Sequence, residues 1–130
     1  MKPDPQDHVL LALWAADCAA HVLEAFEARC PQDDRPRKAI EAARAWAHGD
    51  LSMAEARAAA FASHAAAREA SNPTAIAAAR AAGHAAATAH VVTHAPHAAR
   101  YALTAASDAD AEREWQRGQL PERLWAFAFR

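Results

Sequence analysis

The sequence predicts an all-α protein, and three observations support this class. Alanine, the strongest helix former, supplies 42 of the 130 residues. Glycine occurs three times, while prolines and capping residues recur at intervals that suit helix boundaries. No segment shows the alternation of apolar and polar residues that is typical of a half-buried strand. We therefore predict that residues 1–130 form a compact single-domain helical bundle or array of about five to seven helices.

Capping residues and prolines set the expected helix boundaries. Pro31 ends the first helix, because proline cannot continue a helix from within. Ser52 and Glu55 form a capping box for the third helix, and Asn72 followed by Pro73 begins the fourth. The predicted helices span about residues 5–30, 35–48, 52–70, 73–94, 96–106, 109–118 and 121–129.

Composition excludes several classes of partner. The chain has 14 basic and 16 acidic residues and a net charge of -2, which gives no general attraction for nucleic acid. No stretch has the run of about 18 apolar residues that a membrane span requires. The start MKPDPQDH lacks the basic and apolar segments of a signal peptide. We therefore expect a cytoplasmic protein without a nucleic-acid or membrane partner.

The few large apolar side chains are expected to fill the core. Alanine-rich helices can approach one another closely, because their side chains are small. Trp14, Phe61 and Trp115 are the large residues that we expect to occupy the space that remains.

Several charged or titratable side chains fall on the same helical faces as apolar residues. At about 100° per residue, Asp17 and His21 join the stripe of Trp14, while the third and fourth helices each align Arg and His with apolar positions. Asp17 is the obvious internal acid, accepting hydrogen bonds from His21 or from an arginine of those two helices. Two interpretations stay open, a buried polar network that fixes helix register and a partly open cleft. The candidate residues are Asp17, His21, Arg57, His64, Arg80, His84 and His94.

Metal binding is the sharpest chemical alternative. His90 and His94 are four residues apart, a spacing that lets two imidazoles on one helix share an ion, with His21 or His64 as a third ligand. However, the Glu-x-x-His pairs of di-iron bundles and the His-Glu-x-x-His zinc motif are absent from the sequence. We predict no bound metal or cofactor, with His90 and His94 as weak candidates, and no catalytic residue, since neither Ser nor Cys lies in a nucleophile motif.

Five segments, in order along nearly the whole chain, resemble the immunity protein family associated with bacterial polymorphic toxin systems. The most specific is DDRPRKAIEAARAW, which combines a turn, two prolines, charges and a tryptophan. The resemblance implies a helical cytosolic protein that neutralises a cognate toxin by binding it, without enzymatic activity and without catalytic residues to assign. The segments are ALWAADCAAHVL at 12–23, DDRPRKAIEAARAWA at 33–47, EARAAAFASHAAAREA at 55–70, AARAAGHAAATAHVVTHA at 78–95 and EWQRGQLPERL at 114–124.

Two other hypotheses remain beside the toxin-binding one. The first is a small His-assisted or metal-dependent enzyme built around Asp17, His21, His90 and His94. The second is a structural or interaction domain that forms a homodimer by burying its alanine-rich faces against each other.

Overall fold

The computed structural model describes residues 3–130. This part of the chain forms eight α-helices and one 3-10 turn and contains no β-strand. The all-α prediction is confirmed for these residues, whereas the predicted five to seven helices are at least one too few, because the predicted helix over 5–30 is divided into α1 and α2. The elements are α1 Pro5–His21, α2 Glu24–Glu27, α3 Arg35–Ala47, α4 Met53–Glu69, α5 Pro73–Ala87, α6 His94–Ala105, α7 Ala109–Gly118, the 3-10 turn Glu122–Leu124 and α8 Trp125–Ala128.

The predicted helix starts of α4 and α5 are confirmed by their capping contacts. The Ser52 hydroxyl accepts a hydrogen bond from the Glu55 backbone N–H at 3.1 Å, and the Ser52 N–H donates to the Glu55 carboxylate at 3.3 Å. This reciprocal pair is a capping box. The Asn72 side chain accepts from the N–H of Ala75 at 3.0 Å, with Pro73 in the first helical position.

The prediction of one helix over residues 5–30 is wrong. Helix α1 ends at His21, and Val22 leaves the helical conformation with φ -117° and ψ 6°. The resulting turn buries Val22, Leu23 and Phe26 together in the core. Each such burial contributes about 1.5–3 kcal/mol, which outweighs helix propensities of about 0.7 kcal/mol or less per residue.

The predicted helix over 73–94 is also too long, since α5 ends at Ala87. The next residues, 88–93, include β-branched Thr and Val side chains that favour helix only weakly. Helix α6 then begins at His94, which places Pro96 in its first turn, where a missing N–H costs little. At the C-terminal end, the predicted helix 121–129 is divided into the 3-10 turn and α8.

Helix α5 lies at the centre of the fold and packs against α1, α3, α4 and α6. Its buried residues are alanines and Gly83, so the surrounding helices can approach it closely. The large core residues come from the two ends of the chain, and Trp14 is among them, as predicted. Its indole N–H donates to the Gln116 backbone carbonyl at 2.8 Å, which ties α1 to α7. The largest of these side chains are Trp14, Phe26, Leu11 and Leu124.

Within residues 3–130, no helix has both the length and the apolar character that crossing a membrane demands. Met1 and Lys2, which begin the segment used for the signal-peptide expectation, lie outside the described residues. The cytoplasmic location therefore stays a prediction.

Candidate functional site

One side of α4 presents large polar and aromatic residues to solvent. Arg57, Phe61, His64 and Arg68 are separated by four, three and four positions, which places them on one helical face. Phe61 is 59% exposed, and the Arg57 guanidinium carbon lies 5.1 Å from the centroid of its ring. The prediction that Phe61 fills the core is wrong, because α4 turns its small residues inward to approach α5. Those buried residues are Ala56, Ala60, Ser63, Ala66 and Ala67.

Four imidazoles meet beside this face, where α4, α5 and α6 come together; we call His64, His84, His94 and His97 the imidazole cluster. His84 is central, with its ring centroid 4.9 Å from that of His64 and 5.1 Å from that of His94. The His97 ring centroid lies 5.2 Å from that of His84. Tyr101 of α6 stacks on His84 at 5.4 Å with an interplanar angle of 10°. Of the predicted set, the structure therefore brings His64, His84 and His94 together.

Hydrogen bonds define the protonation pattern of the cluster. Arg80 Nη1 donates to His64 Nδ1 at 2.9 Å, so neutral His64 must hold its proton on Nε2. The Nδ1 atoms of His84 and His94 lie 2.9 Å apart, which requires one of them to donate and the other to accept. Arg80, which was also a candidate from the sequence, therefore belongs to the same group of contacts.

Glycine at position 83 provides the space for His64. A Cβ atom built on Gly83 would lie 2.6 Å from Cε1 and 2.7 Å from Nε2 of the His64 ring. Such distances are shorter than van der Waals contact, so any side chain at this position would displace the imidazole. A glycine inside a helix costs roughly 0.5–1 kcal/mol relative to alanine. The close approach of the His64 ring explains why α5 tolerates this cost.

The environment keeps the imidazole cluster neutral at pH 7. Burial, and then the charge of Arg80, lowers the pKa of His64 to about 4. Burial, and then the neighbouring His64 and His94, lowers the pKa of His84 to about 3. The pKa values of His94 and His97 are lowered as well, mainly by burial. These side chains therefore act at neutral pH as hydrogen-bonding groups and not as charges.

Helices α5 and α6 carry no carboxylate that could balance the positive charges of this region. The sequence contains no Asp or Glu between Glu69 and Asp108, a span that includes all of α5 and α6. Among residues 3–130, Arg80 is the only arginine that is partly buried and has no salt bridge. We call the surface formed by the α4 stripe, Arg80, the imidazole cluster and Tyr101 the α4–α6 face.

Asp17 and His21 lie in a second region, apart from the cluster. His21 Nδ1 contacts both carboxylate oxygens of Glu112 at 2.8 and 2.9 Å, and its ring stacks on Trp115 at 3.7 Å. Asp17 accepts a hydrogen bond from Arg44 at 3.0 Å, and its side chain is 46% exposed. The prediction of Asp17 as an internal acid is wrong, because α3 and not α4 or α5 supplies its partner. Glu112 of α7 is the buried acid beside His21 instead.

A groove of about 440 Å³ adjoins this second region and runs between the α1–α2 turn and the start of α7. Glu24, Asp108 and Glu112 line it together with His21. Nearby, burial first, and then the charges of Glu112 and Asp17, raises the pKa of the Cys18 thiol. The groove is therefore lined mainly by acidic side chains among its charged groups, in contrast to the α4–α6 face.

The geometry assumed for the weak metal candidates His90 and His94 is not present. Helix α5 ends before His90, which lies in the turn that precedes α6, whereas His94 is the first residue of α6. The two side chains therefore do not occupy successive turns of one helix. Within residues 3–130, no group of three or more His, Cys, Asp or Glu side chains is placed to hold a metal ion.

Sequence reasoning missed His97, Tyr101 and the partners of Asp17 and His21. The long segment without acidic residues was a signal for the first two, because it marks α5 and α6 as a region whose charges have no local counter-ion. Glu112 and Arg44 gave no comparable signal, since both pairings join residues far apart in sequence.

The fold and the site define an all-helical protein with one basic, aromatic face and one acidic groove. A family model described as "Imm-5 like putative immunity protein" matches residues 1–123, and the chain belongs to this family. The comparisons found no match among curated proteins and none among solved structures.

Proposed function

We propose that the protein neutralises a bacterial toxin by binding it through the α4–α6 face. The observation that carries the proposal is the exposed Phe61 ring beside the Arg57 guanidinium, on a face whose defining residues include no Asp or Glu. Aromatic and arginine side chains dominate the energetics of protein interfaces. Membership of an immunity protein family supports the same role.

The charges of this face favour a partner with an acidic surface. Arg57, Arg68 and Arg100 are exposed and form no salt bridge with any of residues 3–130. Complementary charge steers association and suppresses wrong partners. A symmetric homodimer through the same face would place these arginines against their own copies, since a two-fold interface pairs a patch with itself. We therefore favour the toxin over a second copy of this chain as the occupant.

The contacts of the imidazole cluster support binding in preference to catalysis. A histidine that acts as a general base is held next to a nucleophile and oriented by a third group. In the described chain, the hydrogen-bond partners of these rings are Arg80, Arg100 and one another. We propose that the toxin is blocked in the cytoplasm by occlusion, without chemical change.

The test uses the protein encoded next to this one as the toxin. Isothermal titration measures its affinity for the wild-type chain and for Phe61→Ser, and a growth assay measures rescue of toxin-expressing cells. Loss of a central aromatic contact costs about 2 kcal/mol or more, so we expect about thirtyfold weaker binding and reduced rescue.

The matched control is Leu10→Ser, which removes an exposed apolar side chain from α1. Its affinity should equal that of the wild type. Unchanged affinity in Phe61→Ser, or a larger loss in Leu10→Ser, would overturn the assignment of the binding face.

Light scattering of the free protein tests the homodimer alternative, because a stable homodimer would compete with the toxin for exposed surface.

A further inference from the structure

Arg80 is isolated from carboxylates although it is partly buried. Its guanidinium has five N–H donors, and its hydrogen bond to residues 3–130 is the one from Nη1 to His64. The other partly buried arginines all form ion pairs with Asp or Glu; they are Arg35, Arg44 and Arg117. Withdrawing a cation from water without a counter-ion costs free energy that a bound anion would offset.

The groups around Arg80 add donors and no acidic acceptor. Neutral His64, whose Nδ1 accepts from Arg80, has an N–H at Nε2. Of the His84 and His94 rings, one donates its Nδ1–H to the Nδ1 of the other. The accepting ring is neutral and therefore has its N–H at Nε2. The charge of Arg80 and the absence of acids disfavour a metal cation here and favour an anion.

We propose that Arg80, His64, His84 and His94 form a binding site for an oxyanion, either a carboxylate or a phosphate group. A guanidinium presents parallel N–H donors that match the two oxygens of such a group. The anion has two sources, an acidic side chain of the toxin or free phosphate. The toxin source rests on the proposed function, whereas the site itself rests on the geometry alone.

Binding at this site is coupled to proton uptake. An anion beside neutral imidazoles stabilises their protonated forms, so binding raises their affinity for protons. By linkage, anion affinity increases as the pH falls. Burial and positive neighbours lower the pKa of His64 and His84, so both rings are neutral in the free protein. They can therefore gain a proton when the anion binds. The titratable and charged groups that face the cluster are Arg68 of α4, Arg80 of α5, His90 of the preceding turn, His97, Arg100 and Tyr101 of α6, and Arg130.

The experiment is an NMR titration of the free protein with inorganic phosphate and, separately, with acetate. Histidine ring signals are followed at about pH 7.5 and about pH 6, with sodium chloride at matched ionic strength as the blank. We expect the His64, His84 and His94 signals to shift together and to saturate. The dissociation constant of acetate, which stays ionised over this range whereas phosphate itself takes up a proton, should fall by about threefold or more between the higher and the lower pH. Uptake of one proton allows up to about tenfold per pH unit.

Arg80→Ala should abolish the saturable shift, and Arg80→Gln provides the same test with little loss of side-chain packing. The matched control is Arg113→Ala, which removes an exposed arginine of α7 that forms no salt bridge with residues 3–130. It should behave as the wild type. Absence of saturation in the wild type, or an unchanged titration in both Arg80 variants, would overturn the site.

Adding the toxin distinguishes the two sources. If the toxin displaces phosphate, its carboxylate occupies the site; if both bind together, the site serves free phosphate. A failure of Phe61→Ser to weaken toxin binding would leave the phosphate titration unaffected, so the two proposals can fail separately.

Discussion

The α4–α6 face and the region around the acidic groove differ in whether their charged side chains are paired within the chain. Around the groove, His21 contacts Glu112 and Arg44 contacts Asp17, so both of these acids have partners within the chain. On the α4–α6 face, Arg80 and Arg57 have no carboxylate of the described chain to pair with. The first arrangement stabilises the fold, whereas the second leaves charge available to a partner. Substitutions in the two regions should therefore affect different properties.

The largest expected effect on stability is at Glu112, which is 7% exposed. Glu112→Ala removes the hydrogen bond that His21 Nδ1 donates to the two oxygens of this carboxylate, and hydrogen bonds to charged groups contribute about 1.5–3 kcal/mol. We expect the free energy of unfolding to fall by about 2 kcal/mol in urea denaturation, with toxin affinity unchanged.

Asp17→Ala should lower the free energy of unfolding by about 1 kcal/mol or less, because the ion pair of Asp17 with Arg44 is half-exposed.

Glu114→Ala is the control for Glu112→Ala, since the Glu114 side chain is 74% exposed and contacts Arg117. Its effect should stay within about 0.5 kcal/mol. Equal losses in Glu112→Ala and Glu114→Ala would show that the His21 pair adds nothing to the fold, and the contrast between the two regions would not hold.

A smaller effect is expected from the contact between Gly83 and His64. Gly83→Ala should displace the imidazole, which offsets the gain in helix propensity of about 1 kcal/mol or less. In a His64→Ala background the clash is absent, and the same substitution should raise the free energy of unfolding by about 0.5–1 kcal/mol. A double-mutant cycle measures the difference. An identical effect in both backgrounds would show that Gly83 has no role in seating His64.

Protonation of His64 and His84 affects stability only weakly at pH 7 and increasingly as the pH falls. The folded-state pKa of His64 is about 4 and that of His84 about 3, whereas an unfolded histidine has a pKa of about 6.5. Below about pH 6.5 the unfolded chain therefore binds more protons than the folded one, and stability falls as the pH falls toward about 4. Above about pH 6.5 these histidines contribute no slope.

The variant with both His64→Ala and His84→Ala should have a flatter stability curve between about pH 6.5 and about pH 5, a window above the usual carboxylate range. Urea midpoints measured across this window give the slope. A slope equal to that of the wild type would mean that these imidazoles are protonated as readily in the folded protein as in the unfolded chain. His48→Ala is a suitable control, since His48 is exposed and lies outside the cluster.

Local signals allowed much of the fold to be predicted from sequence. The capping box at Ser52 and the Asn72 cap fix helix starts through contacts within three residues, so α4 and α5 begin where expected. Helix ends were harder, because α1 stops at His21 to bury Val22 and Leu23 in a core that other helices complete. A helix end that is set by packing against residues distant in sequence cannot be recognised from the local sequence.

The candidate site could be predicted only in part, because its contacts also depend on how the helices pack together. Helical spacing correctly aligned Arg57 with His64 on α4, but it could not say which face of an alanine-rich helix points inward. When helices approach closely, small residues are buried as readily as large ones. The sequence prediction therefore placed Phe61 on the buried side of α4, whereas it lies on the exposed side. The partners of Asp17 and His21 depend on how α3 and α7 pack, which spacing within one helix does not reveal.

Hydrogen–deuterium exchange of the toxin complex locates the binding face, because it reports which backbone segments a partner protects. Binding through the α4–α6 face predicts slower exchange in Met53–Glu69 and His94–Ala105, with Ala109–Gly118 and Glu24–Glu27 unchanged. Protection confined to the two segments beside the acidic groove would contradict the account and place the toxin on the opposite type of surface.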